Sequence, residues 1–156
     1  MPRTYSVKFE AVTVSAAQDL FQIIGASGKT LKIRRVAVAD IDTTLPTAQM
    51  MELRCRFLPA TVTNGSGGSA PTPEPFDPGD AAASFTAKAN STTKATTNST
   101  AVVLEENGCH IYAGWDYSFP FPPIIGPSES FVFELLSSLS GTCTLSGTCV
   151  VEETGG

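Results

Sequence analysis

Alternating apolar and polar positions mark several segments of the chain as β-strands. Every second side chain is apolar over residues 5–10, and the same alternation runs over residues 51–57. Successive side chains of a strand point to opposite faces, so this pattern predicts strands with one buried face. The alternation changes phase after the first of these segments and again at Arg34-Arg35, which predicts a β-bulge at each place.

The spacing of these segments predicts an all-β protein. Turn residues separate about eight or nine predicted strands, and no stretch keeps a helical period beyond one or two turns. We therefore predict an antiparallel β-sandwich or jelly roll, in a single domain that covers residues 1–156. Residues 101–106 and 109–115 are predicted to form a hairpin around Asn107-Gly108, because Asn-Gly suits a tight turn.

One long segment interrupts the strand pattern. Residues 64–80 contain four prolines and four glycines. Proline lacks a backbone donor and glycine lacks a side chain, so neither a helix nor a central strand is expected to pass through this segment. A loop of this length is usually functional or disordered. Residues 60–83 are therefore predicted to form an extended loop or arm that contacts another molecule.

Charge and hydropathy narrow the classes of partner. The net charge is −5, and only 16% of the residues are charged. An acidic chain is poorly suited to phosphate backbones, so no nucleic-acid partner is expected. No apolar run approaches the roughly 20 residues of a membrane helix, and the first residues do not resemble a secretory signal. We expect no membrane contact and synthesis in the cytoplasm.

The sequence offers no convincing catalytic set. The single histidine, His110, follows Cys109 in a predicted strand, where neighbouring side chains point to opposite faces. The same geometry separates Glu105 from Glu106, so these carboxylates are not predicted to act as a glycosidase pair. We expect a protein that is not an enzyme, with no catalytic residues and no cofactor.

The cysteines are predicted to be free thiols. Cys143 and Cys149 share one face of a predicted strand, and their Cα atoms would lie about 20 Å apart, beyond the reach of a disulfide. Cys55 stands between two arginines and is predicted to face the core. A metal site would require Cys109 or His110 to meet distant cysteines, so no metal is expected.

The aromatic residues Trp115, Tyr117 and Phe119 share one face if their segment is extended. One interpretation is ordinary core packing. The other is a protein interface, where Trp and Tyr are enriched, and three nearby prolines fit a strand edge that is protected from aggregation. A carbohydrate platform is a further alternative, although no polar side chains are placed beside the rings in a recognisable way.

Six segments, spread in order along the chain from residue 7 to residue 153, carry a family resemblance. They are residues 7–21, 53–60, 65–83, 113–117, 126–129 and 146–153. Together they are similar to small virion proteins of tailed bacteriophages and prophages. The Gly/Pro-rich loop with its Asp-Ala-Ala-Ala exit is the most specific of these segments. The resemblance implies a virion structural protein, and it carries no catalytic residues with it.

By analogy with small β-rich phage proteins, the resemblance implies a capsid decoration (cement) protein in the virion. Such a protein would bind the major capsid protein, or another virion protein, and stabilise the capsid lattice as a homotrimer. The residues expected to make these contacts are Pro71, Pro73, Pro75, Phe76, Trp115, Tyr117 and Phe119. The alternative is a tail, baseplate or head-fibre component whose β-sandwich contacts glycans of the host surface.

Overall fold

The computed structural model describes residues 1–155, and their regular secondary structure is entirely β. The strands are β1 (Arg3–Val14), β2 (Gln18–Ile24), β3 (Thr30–Asp40), β4 (Met50–Leu58), β5 (Val62–Thr63), β6 (Glu74–Pro75), β7 (Thr86–Ser91), β8 (Thr96–Thr97), β9 (Val102–His110), β10 (Trp115–Ser118), β11 (Ile124–Ile125), β12 (Ser130–Leu135) and β13 (Cys143–Thr154). The predicted all-β class is confirmed.

Two antiparallel sheets pack face to face. Sheet A has the strand order β10-β3-β13-β1-β6, and β11 also pairs with β3. Sheet B has the order β7-β2-β12-β4-β9. Strands β5 and β8 form a separate two-stranded ribbon. This arrangement confirms the predicted antiparallel β-sandwich.

The core lies between sheet A and sheet B. Buried residues alternate with half-buried ones along the whole of β13, as the sequence alternation predicts. Phe21, Phe131 and Phe133 of sheet B belong to one buried cluster with Tyr5 of sheet A. Full burial of one large apolar side chain stabilises the fold by about 1.5–3 kcal/mol, so this cluster supplies much of the driving force.

Both predicted bulges are present. In β1 the pairing with β13 skips from Phe9 to Val12, and Ala11 takes a positive φ of 53°. In β3 the pairing with β13 shifts at Arg34, which is the extra residue. Each bulge moves the alternation by one position, so that the apolar side chains after it still face the core.

The predicted hairpin at Asn107-Gly108 is wrong. Strand β9 runs without a turn from Val102 to His110 and pairs with β4 along its length. A tight Asn-Gly turn requires positive φ at both residues, and neither Asn107 nor Gly108 has it. Pairing with the strongly alternating strand β4 therefore outweighed the local preference of Asn-Gly for a turn.

Residues 64–80, which we call the strap, lie along one edge of the sandwich. Backbone hydrogen bonds of 3.0 Å join Ser66 to Thr93, and bonds of 2.9 Å join Ser69 to Ala89 in β7. The strap then crosses to sheet A, where β6 pairs with β1. The segment 60–83, expected to extend outward as an arm, thus runs along the protein's own body.

The glycines of the strap allow its backbone to approach β7 closely. A Cβ atom on Gly68 would lie 2.1 Å from the carbonyl oxygen of Ala89, and one on Gly65 would lie 2.8 Å from the Cβ of Ser91. Real Cβ atoms do not come this near to other atoms, so a side chain at either position would push the strap away. Here the glycine content serves close packing and not flexibility.

Candidate protein interface

The sandwich has two lateral sides that differ in how their strand edges are covered. On the closed side the strap covers the edges of β7 and β1. On the open side lie the edges of β9 and β10, the outermost strands of sheets B and A. A long hydrogen bond of 3.5 Å, donated by the Tyr117 hydroxyl to a Glu105 carboxylate oxygen, connects the two sheets there.

Strand β9 presents an uncovered apolar edge. It pairs with β4 on one side, and within residues 1–155 no strand pairs with its other side. Val102 and Val103 are each 47% exposed, and Leu104 is 39% exposed. An edge of this kind is a template for another strand.

The edge of β10 and β11 is less suited to pairing. Phe119 donates its backbone N–H to the Arg34 carbonyl at 2.9 Å, and Ile33 donates to the Pro123 carbonyl at 3.1 Å, so this segment spans the bulge in β3. Pro120, Pro122 and Pro123 lack backbone donors. Prolines on an edge hinder strand addition, so β9 is the better template of the two.

Aromatic rings line the open side behind these edges. The rings of Tyr117 and Phe119 stand perpendicular with centroids 4.9 Å apart, and Phe119 packs on Phe131 at 6.0 Å. Both side chains are half-buried. Desolvation, with the nearby carboxylate of Glu105 as a second cause, raises the pKa of Tyr117, so its hydroxyl stays a hydrogen-bond donor.

The structure places Trp115 in the core, not on the surface. Its ring is 8% exposed and packs on Phe133 with centroids 6.4 Å apart. The predicted common face of residues 115, 117 and 119 is present, but it points inward. The Trp115 ring is therefore not available to a partner, which corrects the expectation that it anchors one.

The four expected contact residues of the strap lie on the closed side. Pro71, Pro73 and Pro75 are half-buried, and Phe76 is 61% exposed. Phe76 donates its backbone N–H to the Thr4 carbonyl at 2.9 Å, which fixes the strap to β1. The expected contact residues are thus divided between two opposite sides of the molecule and the core.

The open side is acidic along β9. Glu105 and Glu106 are consecutive strand residues, so they project on opposite faces of sheet B. The Glu106 side chain is 54% exposed and lies 3.9 Å from Arg54. On β10, Asp116 accepts two hydrogen bonds from Arg35, at 2.7 and 2.5 Å, and these lower the pKa of Asp116. That carboxylate is therefore paired with Arg35, whereas the exposed Glu106 has only the longer contact with Arg54, so β9 keeps part of its negative charge.

A buried charge cluster on the outer face of sheet B was missed by the sequence analysis. Glu134 is fully buried, and its carboxylate lies 2.5 Å from Arg54, 2.9 Å from Arg56 and 2.8 Å from Lys94. Lys94 belongs to the segment between β7 and β8 that covers this face. Alternation predicts which face of β4 meets the core, and nothing in it indicates that another segment covers the opposite face.

Asp19 contacts the same covering segment, residues 94–95. Its side chain is 1% exposed and lies 3.6 Å from Arg56, and it accepts the backbone N–H of Ala95 at 2.6 Å. Burial raises the pKa of Asp19 from 3.8 to about 6, against the opposing effects of the Ala95 hydrogen bond and the Arg56 charge. Asp19 and Glu134 together fasten residues 94–95 over sheet B.

The largest feature of the remaining surface that we describe is a groove. This groove of about 760 Å³ lies on the outer face of sheet A, with Ala37 and Ala39 among its lining residues and Lys8 and Asp116 beside them. In residues 1–155, no three His, Cys, Asp or Glu residues come together in a way that could hold a metal ion. No membrane-spanning helix occurs in the part of the chain that the structure describes.

The candidate binding surface is therefore the uncovered edge of β9, with exposed apolar residues at 102–104 and glutamates at 105–106, beside the partly exposed aromatic rings. Cys109 and His110, like Glu105 and Glu106, are consecutive residues of β9 and project on opposite faces of the sheet. No protein-family model matches the sequence, and no curated protein matches it.

Proposed function

We propose that this chain is a non-enzymatic virion structural protein, and specifically a capsid decoration protein that binds the major capsid protein and stabilises its lattice. The observation that carries the proposal is the difference between the two lateral sides. The closed side is covered by the protein's own strap. The open side keeps an apolar, unpaired strand edge, which is the form of a surface that another protein completes.

The strand order supports the proposal by analogy. Without the strands of the 59–101 segment and β11, the sheets are β10-β3-β13-β1 and β2-β12-β4-β9. Strands β1 to β4 alternate between the two sheets, so we interpret the fold as a jelly roll, an architecture that occurs in viral capsid proteins. A shared architecture does not fix a function, so the site carries the argument and the fold only agrees with it.

The proposed mechanism is cross-bracing. A stiff sandwich whose open side docks on one capsid subunit, and whose surface reaches a neighbouring subunit, raises the force needed to separate the two. The half-buried rings of Tyr117 and Phe119 would pack against the bound subunit, and the exposed Phe76 on the strap would reach the neighbour. Arrangement of the protein as a homotrimer is part of the proposal, because several weak contacts made together give strong binding.

The test is binding to purified particles. Purified protein is mixed with isolated capsids and, separately, with isolated tails of the same phage, and the copies that sediment with each are counted. The proposal expects saturable binding to capsids, little binding to tails, and a higher temperature of capsid disassembly at saturation. Binding to tails without binding to capsids would overturn the proposal in favour of a tail or baseplate component.

A further inference from the structure

We infer that β9 accepts an extended segment of the partner protein, which adds to sheet B as a further strand and carries a basic pair beside an apolar block. This deepens the proposed function, because the partner is taken to be a capsid subunit. The inference itself concerns β9 and its backbone. It can be tested on the isolated protein without capsids.

The chain covers both edges of its closed side in this way. Ser69 exchanges two backbone hydrogen bonds of 2.9 Å with Ala89, at the outer edge of β7. Glu74 and Pro75 pair with Ser6 and Tyr5 at the outer edge of β1. Backbone N–H and C=O groups at a sheet edge require hydrogen-bond partners, and an added extended segment supplies them without distorting the sheet.

Strand β9 also lacks the features that usually prevent strand addition at an edge. It is nine residues long and contains no proline and no lysine, the two residue types that usually protect an edge. The bulge at Leu104 is the single interruption, since Cys55 pairs with Glu105 and Arg56 pairs with Val103. After the bulge, residues 105–110 run as uninterrupted strand.

The charges of β9 favour a basic segment of another protein over a second copy of this chain. Two copies of β9 that paired antiparallel about their centres would place Glu106 opposite Glu106. Like charges directly opposite each other destabilise a strand pair. A segment with basic residues at these positions would instead gain two attractive pairs, with Glu105 and Glu106.

The order of residues in β9 predicts the order of residues in the partner segment. Three exposed apolar residues, Val102 to Leu104, come directly before the two glutamates. Most strand pairs are antiparallel, so the partner segment should show the reverse order: two basic residues followed by apolar and β-branched ones. A peptide with the sequence Thr-Lys-Lys-Val-Ile-Val-Thr has this pattern.

The experiment adds this peptide to the isolated protein and measures amide hydrogen exchange residue by residue. The control peptide replaces both lysines by glutamates. The inference expects slowed exchange at residues 102–110 with the lysine peptide, and affinity lower by about tenfold for the glutamate peptide. Absence of protection at β9, or equal affinity for both peptides, would overturn it.

A matched pair of variants locates the effect. Glu106→Lys reverses a charge on β9, and Glu10→Lys makes the same change at an exposed position of β1 in the other sheet. We expect Glu106→Lys to weaken lysine-peptide binding about fivefold and Glu10→Lys to change it less than about twofold. Equal weakening by both would mean that net charge and not β9 attracts the peptide, and would overturn the inference.

The two proposals fail separately. If the lysine peptide does not dock but the protein still saturates capsids, the inference falls and the proposed function stands. If the peptide docks on β9 but the protein does not bind capsids, β9 remains a strand-docking site and the proposed function falls.

Discussion

The closed and open sides of this sandwich differ in whether the chain itself pairs the backbone groups at the edges of its sheets. Each side ends in strands with unpaired backbone groups. On the closed side the chain inserts 43 residues between β4 and β9, numbered 59–101. This segment adds β7 to β2 and β6 to β1, lays the strap along the outer edge of β7, and covers part of sheet B. On the open side β9 is left unpaired and apolar. Because the chain can cover an edge and leaves this one bare, this difference is the basis of our proposal that a partner covers β9.

The largest expected effect tests whether buried charges hold the inserted segment, at residues 94–95, over the outer face of sheet B. Glu134→Gln keeps the shape of the side chain but removes its charge from beside Arg56 and Lys94. We expect the free energy of unfolding to fall by about 3 kcal/mol, because breaking a buried ion pair leaves its partners uncompensated. Urea unfolding at neutral pH measures this, with the exposed Glu10→Gln as control. A loss no greater than that of the control would contradict the role given to Glu134.

The next effect tests whether the strap is packed or loose. In Gly68→Val the new side chain would collide with the backbone of β7, since a Cβ there would lie 2.1 Å from the Ala89 carbonyl oxygen. We expect a loss of about 2 kcal/mol in unfolding free energy and faster amide exchange at Ser69 and Ala89. Gly79→Ala is the control, because the nearest atom there is an Asp77 side-chain oxygen at 3.3 Å. A strap that extends into solvent would tolerate both changes equally.

A smaller effect is a pH dependence that originates at Asp19, beneath the same inserted segment. The folded-state pKa of Asp19, about 6, lies above its ordinary value of 3.8. Between these values the folded state binds more protons than the unfolded state, so stability increases as the pH falls through 6 and is lost as it rises again. From pH 7.5 to pH 5 we expect a gain of about 1 kcal/mol in unfolding free energy. In Asp19→Asn the gain should disappear, and an unchanged profile would show that another group titrates.

The smallest effect on stability is expected on the open side. Val103→Thr and Leu104→Thr replace exposed apolar residues of β9. Each should change the unfolding free energy by less than about 0.5 kcal/mol, since both side chains lie at the surface, outside the buried core. The concentration at which the protein begins to aggregate should rise, as measured by light scattering. A loss of stability comparable to that of Gly68→Val would mean that β9 is already covered.

Much of the sandwich could be predicted because its strands obey a local rule. Side-chain alternation identified β1 and β4, and the phase changes identified the bulges at Ala11 and Arg34. Alternation and its phase changes are patterns among residues adjacent in sequence, so they can be recognised without the structure. The Asn107-Gly108 turn failed because its alternative, pairing with β4, depends on residues about fifty positions away.

The interface was harder to predict because exposure is a property of the assembled fold. Alternation correctly placed Trp115, Tyr117 and Phe119 on one face, but it could not tell whether that face points to the core or to solvent. The glycines and prolines of the strap indicated the absence of a central strand, and this was taken for an arm. A strap lying at van der Waals distance from β7 needs the same residues, so composition does not separate the two.

The most direct test of the account is amide hydrogen exchange of the protein free in solution and bound to purified capsids. The account predicts that β9 gains protection on the capsid, while Ser66, Ser69 and Phe76 of the strap, whose backbone bonds are already made in the free protein, change little. New protection confined to the strap, with β9 exchanging as fast as before, would contradict it.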